Sequence, residues 1–232
     1  MKVGVLQKKK MRVTNMRQIM KSLDAIEKHH NIILPDGYKK WSLKGYTNYK
    51  SDLDEYLWVN EAEWIPPEDV LSRDLGRDKV LCGIIPFAFT GAGDHWCFNT
   101  SQKTEDAEYQ ILACWHDEVE AELYAPNFKA WFYRTCLEYA SSIENKPDEI
   151  KNAQENLILW SNHLREIEGE KWANHLADLA ESTPFEYKDP KLRSNIILFG
   201  FVTSMDAEKI IYLEMGEKYT GETVEWGWDT DT

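Results

Sequence analysis

Cysteine is scarce, with four residues in 232, too few for a disulfide scaffold, so Cys82, Cys97, Cys114 and Cys136 read as thiols of a reducing compartment. No apolar run approaches the roughly 20 residues of a membrane span, and the N-terminal stretch lacks the unbroken apolar core of a signal peptide. The expectation is a soluble, cytoplasmic protein. Positive charge is short as well. Lys plus Arg number 27 against 40 Asp plus Glu, a formal net charge of −13, which argues against attraction to a phosphate backbone and against nucleic acid as a partner. The phosphate-loop pattern is missing: Gly91-Ala92-Gly93 is followed by neither a further glycine at the required spacing nor a Lys-Ser or Lys-Thr pair, and reads as a tight turn. There is no Gly-x-Ser-x-Gly elbow and no Cys and His nucleophile signature. Nucleophilic catalysis therefore has no support in the sequence, and no cofactor is expected. No period of about 20 to 50 residues repeats, which excludes solenoids and propellers.

What is present is an uneven charge and a strong aromatic content. Lys2, Lys8, Lys9, Lys10, Arg12, Arg17 and Lys21 share the first 23 residues with no acid. Removing those seven charges from the total of −13 leaves the rest of the chain at −20. Residues 1–14 are expected to be a basic, frayed tail, and the acidic body to favour encounter with a basic partner. Met16, Ile19, Met20, Leu23 and Ile26 form a helical stripe behind Asn15 as N-cap, ending near His30. Pro35 opens a second helix carrying Tyr38 and Trp41. Residues 81–89 read as an edge strand or one broken at Pro86. Residues 95–98 alternate as a half-buried strand, paired in a hairpin with 109–115. Phe128, Trp131, Phe132, Thr135, Cys136 and Tyr139 follow at helical spacing.

Asn145 to Asp148 mark a linker. Beyond it Ile150, Ala153, Leu157, Trp160, Leu164 and Ile167 give the cleanest amphipathic helix, with Asp148 as cap and Gly169 as stop, and Trp172, Leu176, Leu179 and Ala180 a second helix antiparallel to it. Residues 195–202 and 209–215 read as two strands, with Val224, Trp226 and Trp228 on a third. The expected organisation is a tail (1–14), an α+β domain (15–144) and a smaller α+β unit (148–232) in which a helical hairpin precedes strands.

Two surfaces stand out. Glu118, Glu120 and Glu122 alternate with Val119, Ala121 and Leu123, which places three carboxylates on one strand face. The turn around Gly91, Gly93, Asp94 and His95 lies at a hairpin end. Both are candidate contact surfaces for a protein partner. A weaker alternative is zinc: His95-x-Cys97 and Cys114-x-His116 could converge on one metal ion if the hairpin register allows, although no Cys-x-x-Cys knuckle exists and cysteine is commonly a small buried hydrophobe. Of the ten tryptophans, several must be core and one or two left at a rim would be interface anchors.

The order of motifs carries a resemblance. Ile32-Ile33-Leu34-Pro35-Asp36-Gly37-Tyr38-Lys39-Lys40-Trp41, Trp64-Ile65-Pro66, Ile85-Pro86-Phe87-Ala88, Gly93-Asp94-His95-Trp96-Cys97-Phe98-Asn99, Ile111 to His116 and Asn127-Phe128-Lys129-Ala130-Trp131-Phe132 together resemble the SUKH superfamily over about residues 16–143. Leu43-Lys44-Gly45 stands where the family often has an Asn-Gly turn, and Asn99 where it often has aspartate. The resemblance implies an α+β fold of helices on an antiparallel sheet, and a binding protein without catalytic residues. It implies either a bacterial immunity protein that neutralises a cognate toxin, here a basic, nuclease-like one, or a regulator of cell-wall assembly.

Overall fold

The computed structural model describes residues 2–49, 56–76, 79–104, 108–192 and 196–228. The fold is α+β, and contacts divide it into two compact units, Met1–Glu122 with Thr223–Thr232, and Leu123–Glu222. This division does not follow the linker at 145–148: residues 128–141 group with the later helices and the last strands with the earlier ones.

In the first unit, α1 (Lys2–His30) is continuous through residues 2–14, so Asn15 is not its cap and the basic tail is helical. Lys, Gln, Met and Arg are good helix formers, and no glycine or proline interrupts residues 5–30. Ile19, Leu23 and Ile26 form its buried stripe, and Lys28, His29 and His30 close its last turn, where positive charge suits the helix dipole. Glu27 then orders the next element: its Oε1 accepts from Leu34 N at 2.9 Å and Lys39 Nζ at 3.2 Å. Pro35, with φ −54°, leads into α2 (Asp36–Lys44), which Gly45 ends at φ 90°.

Strands β1 (Glu63–Trp64), β3 (Ile84–Phe89), β4 (His95–Lys103), β5 (Tyr109–Cys114), β6 (Glu120–Ala125) and β9 (Thr223–Glu225) form one sheet in the order β1-β3-β4-β5-β6-β9. The short β2 (Lys79–Val80) pairs with β10 (Gly227–Trp228). The β4–β5 hairpin is the one the alternation indicates, with His95 opposite Cys114 and Phe98 opposite Ile111. Two expectations are corrected. β4 is not half-buried: His95 to Asn99 are buried on both faces. β3 is not an edge strand, because it lies between β1 and β4, and the ladder absorbs Pro86 by a bulge between Pro86 and Ala88. The bulge seats Phe87 on Phe98, ring centroids 4.5 Å apart, while Tyr38 meets Phe98 edge-on at 5.4 Å and Trp41 meets Trp64 at 6.1 Å. These rings make the core of the unit.

The second unit holds α3 (Phe128–Ser141), α4 (Pro147–Glu166), α5 (Glu170–Glu181), the hairpin β7 (Phe185–Lys188) and β8 (Ile197–Gly200), and α6 (Ser204–Met215). Asn127 caps α3 by accepting from Ala130 N at 2.9 Å. Pro147 occupies the first turn of α4, so Asp148 lies inside the helix and Lys146 is the cap position. The α4 stripe is as the periodicity indicates, with Ala153, Leu157, Trp160 and Leu164 fully buried. Residues 209–215, read as a strand, are helical: Thr203 Oγ1 accepts from Asp206 N at 3.0 Å, and Ala207, Ile211 and Met215 then recur at four-residue spacing on the buried side. The residues after Gly221 likewise add no third strand here but join β6 of the large sheet as β9. Tyr133 of α3 stacks on Trp172 of α5, centroids 5.1 Å apart, and Trp172 Nε1 and Lys171 Nζ both donate to Glu214 of α6.

Gly200 lies against the end of α3: a Cβ built there would sit 2.5 Å from Ser141 O and 2.8 Å from Ala140 O. Both neighbours are backbone and cannot turn aside. Gly200→Ala is expected to destabilise the protein by about 1–3 kcal/mol, read from the urea midpoint; an unchanged midpoint would contradict this packing.

Candidate functional site

The β3–β4 turn is built on Thr90 and Asp94. Thr90 N donates to Asp94 O at 2.9 Å, Gly93 N to Thr90 O at 3.1 Å, and Gly93 adopts φ 100°, a conformation that favours glycine. Thr90 Oγ1 donates to Asp94 Oδ2 at 3.0 Å and accepts from Asp94 N at 3.2 Å. The other carboxylate oxygen, Oδ1, accepts from His116 N at 3.1 Å and contacts His116 Nδ1 at 2.8 Å. Burial would raise the Asp94 carboxyl, but the His116 side chain and backbone and the Thr90 hydroxyl outweigh it and hold the group below its ordinary value. One carboxylate thus fastens the 90–94 turn to the turn after β5.

The residues singled out in the sequence differ in exposure. Gly91 is exposed, Gly93 and Asp94 are half-buried, and the His116 side chain is 52% exposed. Glu118 and Glu120 are exposed and Glu122 half-buried, with Glu118 just before the strand instead of within it. His95 does not belong to this surface. It is 4% exposed, on a strand covered on both faces.

His95 instead takes a partner that local sequence pattern did not suggest. Arg73 Nε donates to His95 Nε2 at 3.1 Å, and the Arg73 guanidinium lies 4.1 Å over the Phe89 ring. Burial and the adjacent Arg73 charge push the imidazole down to about 4, against weaker opposing influences from Asp94, Asp74 and the Gly93 backbone. The ring is therefore neutral near pH 7, with Nε2 as acceptor.

The four zinc-alternative residues do not converge. His95 is held by Arg73 and His116 by Asp94, while Cys97 and Cys114 are fully buried and in contact with each other. Burial, with the neighbouring Cys114, raises the Cys97 thiol and disfavours the thiolate a metal needs. Among the described residues no group of three or more His, Cys, Asp or Glu side chains is placed to hold a metal ion.

The acidic strand has a neighbour that only the fold reveals. β6 and β9 are in register with Glu120 directly opposite Glu225 and Glu122 opposite Thr223. Thr223 Oγ1 donates to Glu120 Oε2 at 2.7 Å. Neither Glu120 nor Glu225 forms an ion pair among the described residues. Trp226 anchors the strand, its Nε1 donating to Glu118 O at 2.9 Å and its N to Val119 O at 3.1 Å. Like charges directly across a ladder destabilise it, so an uncompensated pair sits on the outermost strand.

The state of His95 gives a pH signature. Its folded pKa of about 4 lies below the ordinary 6.5, so the unfolded chain takes up the proton first. The stabilisation from burying the neutral ring is complete above pH 6.5 and is lost as pH falls towards 4. His95→Gln, which keeps an acceptor for Arg73, is expected to lose less stability over that interval, measured by urea unfolding at several pH values. An identical acid limb in both proteins would mean that the ring is not buried neutral.

No helix among the described residues is long and apolar enough to cross a membrane. No curated protein and no solved structure shows a match to the chain. Residues 21–134 match the SMI1 / KNR4 family (SUKH-1). That span runs from α1 into α3 and includes the Pro86 bulge, the Asp94 turn and the acidic β6. The protein thus carries a SUKH-type domain, in agreement with the motif order read from the sequence.

Proposed function

We propose that the protein is a non-enzymatic, immunity-type binding protein that neutralises a basic, nuclease-like toxin in the cytoplasm by covering its active site. The observation that carries this reading is the Glu120–Glu225 pair, two carboxylates directly opposite each other on an exposed edge, with no ion pair to offset them among the described residues. An intramolecular cost of that kind is recovered when a cationic surface docks, because complementary charge speeds encounter and fixes register. Asp117 and Glu118 extend the acidic rim, and exposed Gly91 and Ala92 lie on the turn that Asp94 fastens to the same end of the sheet. The SUKH-type domain supports a binding role over a catalytic one.

A second reading, a regulator or scaffold of cell-wall assembly or signalling, is favoured by the second unit, where Phe185, Ile197, Tyr212 and Leu213 are exposed. Such residues are docking anchors in many interfaces. Tagged protein captured from its own host separates the two. Recovery of one stoichiometric toxin domain supports immunity, whereas several housekeeping proteins, lost with Leu213→Asp, support regulation.

Glu225→Lys makes a specific prediction because stability and binding should move in opposite directions. Replacing the repulsion with a cross-strand ion pair to Glu120 is expected to stabilise the chain by about 0.2–1 kcal/mol. It should also slow association with the captured partner by about tenfold at low salt. Urea unfolding and stopped-flow binding read the two effects. Unchanged association would remove this edge from the contact surface.

A further inference from the structure

A cavity of about 760 Å³ opens in the first unit between the end of α1, the segment after the 3-10 turn Val70–Ser72, and β3. Its size is that of a small-molecule site. Val70, Leu75, Ile84 and Pro86 give it a buried apolar wall. Arg73 stands on the same wall. The stack on Phe89 and the bond from Nε to His95 fix the guanidinium plane and use one of its five N–H donors. The four donors on the two terminal nitrogens meet no acceptor among the described residues. Asp74, the acid beside it on the cavity wall, turns Oδ1 to Gly76 N at 2.8 Å and forms no ion pair with Arg73. Thr100 and Ser101, also on the wall, donate their hydroxyls inward to Gly83 O and Asn99 Oδ1.

Arg73 lines a cavity whose wall is polar as well as apolar, and its guanidinium, held rigid with an open two-nitrogen edge, matches the planar fork that recognises carboxylate and phosphate. We propose that this cavity binds a small organic anion, an apolar aryl or acyl body carrying one carboxylate or phosphate, with Arg73 holding the anionic group. The site has a charge preference opposite to that of the acidic edge. His29 and His30 also line it.

The protein contains its own reporter. Cys82 lines the cavity and is exposed, while Cys97, Cys114 and Cys136 are buried. In the full chain, the rate of Cys82 modification by N-ethylmaleimide is measured with phenyl phosphate, phenol or inorganic phosphate as probe. Phenyl phosphate at about twice its Kd is expected to slow labelling about threefold, with phenol and inorganic phosphate less effective and the protection lost in Arg73→Gln. No protection by phenyl phosphate, equal protection by either partial probe, or protection that survives Arg73→Gln would overturn the proposal. Should Arg73→Gln loosen the fold, Leu71→Asp adds a carboxylate at an exposed position on the same wall. It is expected to weaken protection, and undiminished protection there would overturn the proposal equally.

Discussion

The bulge at Pro86 decides what both the core and the site of the first unit contain. Before it Ile85 faces Phe98 across the ladder; after it Ala88 faces Trp96, so one extra residue, Phe87, is inserted on β3. Phe87 goes to the side of Phe98 and completes the aromatic core. The phase of the strand then reverses, and Phe89 falls opposite His95. That position gives Arg73 a ring to stack on and an imidazole to hold. Proline has no N–H to give to the ladder, and the same irregularity that accommodates it re-aims three aromatic or cationic groups.

The fold was legible where a period ran long enough to outvote local preference. The stripe of α4 buries one consistent set of residues, and α4 and the partner strand 109–114 of the hairpin both appear where the pattern places them. α6 was not legible by that route, because Ile210, Ile211 and Tyr212 favour strands locally. The Thr203 cap and the Ala207, Ile211, Met215 spacing override them. β1, at two residues, is too short to show any period. In β4 alternating residue types do not mean alternating exposure, because His95 Nε2 and Asn99 Oδ1 are buried as hydrogen-bond acceptors.

The candidate site was legible in pieces and not as a whole. The glycine turn and the acidic strand each have a local signature, but the Asp94 bond to His116 spans 22 positions, and the Thr223 bond to Glu120 spans 103. No local pattern reports such pairings. Arg73 has no motif around it, and its role follows only from the ring and imidazole that the bulge brings to it.

The edge strand raises a choice between two physical roles for its charge. An exposed edge must discourage pairing with another chain, and a charged residue on it does so. That requirement is indifferent to sign, and lysine, the residue most used for it, would also form an ion pair with Glu120 across the ladder. Glu225 protects the edge no better than lysine would and adds repulsion inside the molecule. Edge protection therefore accounts for a charge at this position but not for a negative one. A negative sign acquires a use in the proposed docking of a positive partner, for which the Asp94 latch would hold the neighbouring turns in fixed relation.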